Sequence, residues 1–387
     1  MRILVITPGF LPTIGGAEIG AHEIYSRLAS KHDVFILTQA VKNAPMRLPG
    51  FDMTRYRIIR YRDWLNLGRI PGRMLLRGLV PPFSLGATTA SIRTISQLRP
   101  DVVNVHYAIY TGLAAIWAKK VSRVPTVLSL IGRDAAPGPQ VPKLWHWYAR
   151  QIAKNIRQVI FISEFCRKYH PPSIQSTVIP YGVNTRMIYP KAPDRKLQEE
   201  LNIPPGKFVI FSLQRLAAIK RPGFQLQIAR SLVEAGVNDF LLLIGGSGPE
   251  QATLEKQSQV LNLEDYVRFL GFIPEEAVAE YFALADIFLM TSAYETFGIV
   301  LAQALSAGLP VVAFNNSAIP EVVQDGENGL LAPDGDISAM VDNILRLKSQ
   351  GQLRDKMSMA CRQRALDYYD WDKIVAQYEI VLETARH

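Results

Sequence analysis

Short β-branched runs separated by stretches of helical periodicity recur along the 387-residue chain. This alternation limits the folds open to it more than any other feature. Strands are expected at Ile3–Thr7, Val34–Thr38, Arg57–Tyr61, Val102–His106, Thr126–Leu130 and Val159–Ser163. After Pro190 the pattern restarts, with strands expected at Val209–Leu213, Phe240–Ile244, Val267–Leu270, Ile287–Met290 and Val311–Phe314. Strands spaced by helices of about 10–15 residues build βαβ units and parallel sheets. Two such series predict an α/β protein with two Rossmann-like domains. Pro and Gly interrupt regular structure from Ile179-Pro180-Tyr181-Gly182-Val183 to Tyr189-Pro190. The domains are therefore set at 1–185 and 186–370. The segment 371–387 carries Trp371, Ile374, Val375, Tyr378, Val381 and Leu382 at helical spacing. That helix requires an apolar partner surface and is assigned to the first domain.

Apolar residues make up 48% of the chain, enough for two cores. No apolar run approaches the roughly 18–20 residues of a membrane span. The N-terminal run Ile3-Leu4-Val5-Ile6 leads into Pro8 and Pro12 and reads as a first strand and its loop, not a secretion signal. The two cysteines, Cys166 and Cys361, fit no metal-ligand pattern and read as buried thiols of a cytoplasmic protein.

The net charge of +9 is unevenly spread. Arg55, Arg57, Arg60, Arg62, Arg69, Arg73 and Arg77 stand against the single acid Asp63, interleaved with Tyr56, Tyr61, Trp64 and Ile70. Two readings stand: an anionic membrane surface held by arginine and aromatic side chains, or a solvated basic face. Nothing else in the chain resembles a nucleic-acid module, so no nucleic-acid partner is expected.

Ligands of open α/β sheets bind beyond the C-terminal ends of the strands, so the loops there were searched. Thr291–Pro310 places Glu295 just before an expected helix opening at Thr296-Phe297-Gly298 and ending near Ala307. A helix start attracts anions, and a carboxylate beside it accepts hydrogen bonds from sugar hydroxyls. Together they suit a nucleotide sugar. After the second domain's first strand, Arg215 and Lys220 flank a short turn, and two cations there neutralise a diphosphate. Gly245-Gly246-Ser247-Gly248 is a strand-to-helix turn that either packs beside a nucleotide or contacts it. Gly15-Gly16 follows the first strand and either lets a phosphate or an acceptor approach the backbone closely or is a plain turn. Gln303 lies eight residues after Glu295; it either borders the same cleft or is an ordinary helix residue.

These blocks occur in an order and spacing that resembles the family-4 retaining glycosyltransferases of GT-B fold. The resemblance rests on GGAE at Gly15–Glu18, IPYGV at Ile179–Val183 and Arg215-Leu216 followed by Lys220. It continues through GGSGPE at Gly245–Glu250, SAYETFG at Ser292–Gly298, the Ala307–Val312 block and PEVV through Leu331. It implies two Rossmann-like domains facing each other across a cleft, with the C-terminal helix crossing back to the N-terminal domain. It implies sugar transfer from a UDP-, GDP- or ADP-linked donor with retention, no metal or other cofactor, and a glycan or lipid-linked acceptor for surface polysaccharide. Arg215 and Lys220 would hold the diphosphate and Gly16 would approach it from the first domain. Glu295 would contact the donor sugar, with Gly246, Phe297, Gly298 and Gln303 lining the donor site. Gly132, Asp134, Arg69 and Arg73 would fall on the acceptor side, and His106 either joins them or is a buried, hydrogen-bonded histidine. The enzyme would work in the cytoplasm, peripheral to the inner face of the cell membrane.

Two positions depart from the family pattern. Gln303 stands where a second glutamate usually binds ribose, and an amide lacks charge assistance. Ile131 stands where many members carry a histidine. The alternative is a catalytically inactive GT-B-fold binding or assembly subunit of a glycan-synthesis complex.

Overall fold

The structure is a computed structural model that describes residues 1–13, 15–41, 51–62, 83–132, 134–138 and 141–386. The chain divides into two compact units, Met1–Tyr181 together with the segment from Trp371 onward, and Gly182–Asp370. The first boundary falls at Tyr181, not 185. The reason is local: the Val183 N–H donates to the Tyr369 carbonyl at 2.7 Å, and the Thr185 hydroxyl bonds the Asp370 carboxylate.

Among its described residues the first unit holds seven strands: β1 (Arg2–Thr7), β2 (Asp33–Gln39), β3 (Arg57–Tyr61), β4 (Val102–His106), β5 (Thr126–Leu130), β6 (Gln158–Phe161) and β7 (Ser176–Val178). All pair in parallel, in the order β3-β2-β1-β4-β5-β6-β7. Right-handed crossovers on either side of β1 place helices on both faces of such a sheet. Ile3, Leu4, Val5 and Ile6 are accordingly all fully buried. The C-terminal helix Trp371–Thr384 buries all six of its expected apolar residues and packs on the Gly16–Leu28 helix. Trp371 meets the Tyr181 ring, and Glu379 takes Lys31 and His32 at 2.9 Å each.

The second unit holds β8 (Phe208–Leu213), β9 (Phe240–Gly245), β10 (Val267–Gly271), β11 (Ile287–Met290), β12 (Val311–Phe314) and β13 (Gly329–Ala332). Their order is β10-β9-β8-β11-β12-β13, again all parallel. Strands β7 and β13 were not expected from the sequence. Each lies at a sheet edge and is short, and β13 opens on a glycine. That glycine is required: a Cβ at Gly329 would lie 2.4 Å from the Val311 carbonyl oxygen.

Both cysteines are free and buried. The Cys361 thiol donates to the Asn328 carbonyl at 3.1 Å, and burial pushes its pKa up. No described helix is long and apolar enough to cross a membrane.

Candidate active site

In each sheet the strand order reverses once, between β1 and β4 and between β8 and β11. Loops diverge at such a point and leave a crevice for ligand.

At the second unit's reversal, the loop after β8 carries Arg215 and Lys220, and the loop after β11 carries Glu295. The Lys220 ammonium forms an ion pair with Glu295 Oε1. Glu295 is buried, whereas Arg215 is exposed. The two loops are laced together below this pair. Gln214 Nε2 donates to the Lys220 carbonyl (3.3 Å) and to Thr291 Oγ1 (3.4 Å). The Thr291 hydroxyl also donates to the Lys220 carbonyl (3.1 Å), and the Ala293 N–H donates to the Ile219 carbonyl (3.0 Å). The loop after β12 joins them, because the Glu295 N–H donates to Ser317 Oγ at 2.9 Å and the Ala318 N–H donates to the Glu295 carbonyl at 3.2 Å. Three loops thus fix the position of the carboxylate. Among the described residues the Arg215 guanidinium has no hydrogen bond or ion pair of its own.

The helix after Glu295 runs from Ile299 to Ser306, shorter than expected. Gly298 caps it at φ +89°, a conformation that ends helical backbone and that glycine adopts without strain. Phe297 is a core side chain 5.6 Å from the Tyr369 ring. Gly246 is a packing glycine: a Cβ there would lie 1.9 Å from the Gln214 carbonyl oxygen. Its N–H is already committed to the Gly271 carbonyl at 2.7 Å. The glycine-rich turn therefore supports the Arg215 loop from behind and does not offer that N–H to an anion.

Gln303 is buried, and its amide donates to Glu275 Oε1 at 2.9 Å. A carboxylate thus lies beside position 303, on Glu275 in the loop after β10. Sequence reasoning missed it, because Glu275 lies 28 residues away in no motif.

The first unit's reversal is hollow. A cavity of about 690 Å³ opens there, lined among others by Gly9, Glu18, Tyr107, Gly132, Asp134 and Trp145. Asp134 Oδ2 accepts from the Ala108 N–H at 2.6 Å. Burial nevertheless outweighs its backbone hydrogen bonds and pushes Asp134 up to about 6. Burial also raises Glu18. Gly132 leaves room for Tyr107, whose ring would lie 2.6 Å from a Cβ there. Tyr107 and Tyr110 both hold positive φ, +68° and +75°, backbone that non-glycine residues adopt only where the surroundings enforce it.

His106 does not join this lining, contrary to the acceptor-side expectation. It is buried beneath the cavity, with Nε2 2.6 Å from the Tyr25 hydroxyl. Burial lowers it to about 3, so it stays neutral. Gly16 is exposed and opens the Gly16–Leu28 helix. Of the basic segment, Arg69, Arg73 and Arg77 lie outside the described residues. Arg55 pairs with Asp52 at 2.9 Å, Arg57 lies over the Phe35 ring, and Arg60 donates to the Leu11 carbonyl at 2.9 Å. Three of its arginines thus have partners within their own unit.

Two family models match the chain, Glycosyltransferase Family 4 over residues 14–187 and Glycosyl transferases group 1 over 193–364. The chain belongs to the family-4 glycosyltransferases. Among its relatives, N-acetyl-alpha-D-glucosaminyl L-malate synthase of Bacillus anthracis is 26% identical across 96% of this glycosyltransferase and 94% of its own length. Alpha-monoglucosyldiacylglycerol synthase of Acholeplasma laidlawii is 23% identical, over 92% and 91%. Anabaena HepE, solved in complex with UDP, shares the GT-B fold at TM-score 0.79, with 20% identity over 99% of this chain and all of its own.

Proposed function

We propose that this glycosyltransferase moves a sugar, with retention of configuration, from a nucleotide diphosphate sugar to a glycan or lipid-linked acceptor. The observation that carries the reading is the Lys220–Glu295 pair at the strand-order reversal of the second sheet, with the exposed Arg215 in the same loop. Without ligand, Glu295 neutralises Lys220. A diphosphate draws both cations to itself, which leaves the fixed carboxylate to accept hydrogen bonds from sugar hydroxyls. As the sugar–phosphate bond breaks, charge grows on the leaving diphosphate. Arg215 and Lys220 stabilise that change without reorganising. The leaving phosphate takes the acceptor proton, so the chemistry runs without a metal ion. The cavity lined by Glu18, Asp134 and Trp145 takes the acceptor, with carboxylates receiving its hydroxyls and aromatic rings meeting its apolar faces. In a cell the enzyme works in the cytoplasm, at the inner face of the membrane.

Calorimetric titration with UDP, GDP and ADP, each with and without Mg²⁺, tests the donor half. Metal-independent micromolar binding of one of them is expected, weakened in Lys220→Ala. Binding of none would favour an assembly subunit. Proton NMR of the product anomer then tests retention.

A further inference from the structure

Between Val102 and Ser163 the chain carries eight cations, Lys119, Lys120, Arg123, Arg133, Lys143, Arg150, Lys154 and Arg157, and a single acid, Asp134. That acid is 2% exposed. The helices Gly112–Lys120 and Lys143–Lys154 contain no acid at all. They follow β4 and β5, which are neighbours, so right-handed crossovers set both on one face of the sheet. They pack together, and Lys119 Nζ donates to the Asn155 carbonyl at 2.5 Å where both end.

The second of these helices is sharply divided. Ala149, Ile152 and Ala153 face the core. Lys143, Trp147, Arg150 and Lys154 recur at i, i+4, i+7 and i+11, one face of a helix, and all four are exposed. Trp147 is 56% exposed, as is Val121 beyond the end of the neighbouring helix. Arg150 is held in place by its Nε bond to the Tyr169 carbonyl at 2.7 Å. The same end of the pair borders a cavity of about 280 Å³ lined by Lys119, Arg123, Arg157 and Arg386, with no carboxylate among its described lining residues. Asp101 reaches Arg386 only at 3.9 Å.

We propose that this helix pair is the surface on which the protein docks to an anionic lipid bilayer. The cations meet lipid phosphates, Trp147 sits at the headgroup level, and the basic cavity seats a headgroup. Interleaved lysine, arginine and tryptophan on one exposed helix face match an interfacial helix, and the absence of acids from both helices matches a negative surface. Trp145, on the opposite side of the same helix, lines the cavity assigned to the acceptor, so the helix stands between that cavity and the lipid. The inference rests on the membrane half of the reading above and not on its transfer chemistry.

Co-sedimentation of the full chain with phosphatidylcholine vesicles, with and without phosphatidylglycerol, tests it. Binding is expected only when phosphatidylglycerol is present, and to weaken as salt rises. The combined variant Lys143→Glu, Trp147→Ser, Lys154→Glu should partition at least about 10-fold more weakly. Arg195→Glu with Lys256→Glu, two exposed positions of the second unit, should bind vesicles as the unaltered chain does. Trp147→Ser alone should weaken binding without moving the thermal midpoint. Three outcomes overturn the proposal: an unaltered chain that stays in the supernatant, a combined variant that sediments like it, or an equal loss in the second-unit control. Nucleoside diphosphate titration of the combined variant separates the two readings, because vesicle binding that maps to this face stands even where no nucleotide binds.

Discussion

The two sheets reverse their strand order at equivalent places, between β1 and β4 and between β8 and β11, yet what gathers there differs. At β8/β11, backbone and side-chain hydrogen bonds lace three loops beneath an ion pair. At β1/β4 the space is open, with two carboxylates set among aromatic rings and no cation among its described lining residues. One topology thus supports a rigid charged seat in one unit and a roomy, mostly apolar one in the other. Where a ligand sits follows from the parallel sheet; what it is follows from the loops. A diphosphate suits the first kind of place, and a neutral polyhydroxylated group suits the second.

The sharpest test of this division is Lys220→Ala. If the β8/β11 seat stabilises a leaving diphosphate, turnover should fall by about 100- to 1,000-fold, the usual cost of removing one preorganised electrostatic contact. An equal loss from Trp145→Ala, which lines only the other cavity, would erase the distinction. Steady-state kinetics with saturating donor reads both, and Trp145→Ala should act mainly through the acceptor KM.

The hollow site makes its own prediction about pH. Burial sets Asp134 to about 6 in the folded protein, against an ordinary 3.8. Between those values the folded state keeps a proton that the unfolded state has lost. Stability therefore declines as pH rises from about 4 to about 6 and levels off above it. At roughly 1.4 kcal/mol per pKa unit the whole effect is about 3 kcal/mol. Glu18, raised by the same cause, adds in the same direction. Asp134→Asn keeps an acceptor for the Ala108 N–H and should flatten this part of the curve. Chemical denaturation at a series of pH values measures it. An Asn variant with an unchanged slope would place the titrating group elsewhere.

Much of the fold was readable because buried parallel strands announce themselves as apolar runs, as Ile3–Ile6 and Val311–Phe314 do. The edge strands Ser176–Val178 and Gly329–Ala332 escaped because a short strand at an edge needs no such run. Arg215, Lys220 and Glu295 were picked out by residue type and by position after a strand. That Lys220 and Glu295 touch was not legible, since 75 residues separate them. His106 was placed correctly at the end of β4 with two readings open, and the buried, hydrogen-bonded one is what the structure shows. Nothing in a period-two strand distinguishes a side chain that lines a cavity from one that bonds Tyr25 below it. The acid-free helix pair also passed unnoticed beside the denser arginine run at 55–77. Its significance depends on two helices lying side by side, which only the fold supplies.

Gln303 gives the smallest effect and the finest test of the charged seat. Read from the sequence, Gln303→Glu restores a carboxylate that the family pattern favours and should tighten nucleotide binding. That expectation holds only if Gln303 faces ribose, and the structure adds a consequence for stability. Gln303 Nε2 already donates to Glu275 Oε1 at 2.9 Å, so a glutamate there would exchange a charge-assisted hydrogen bond for two facing carboxylates. Such a pair either repels or shares a proton, and one of the two pKa values rises. Gln303→Glu should therefore cost about 1 kcal/mol of stability at neutral pH and recover it as the solution is acidified. Glu275→Gln placed on top of it should restore an acid–amide pair with the roles exchanged. Thermal midpoints of the two single variants and the double variant close this cycle. Independent, additive effects would show that the two side chains do not form one unit. A double variant more stable than Gln303→Glu alone would show that the two side chains act as one acid–amide unit.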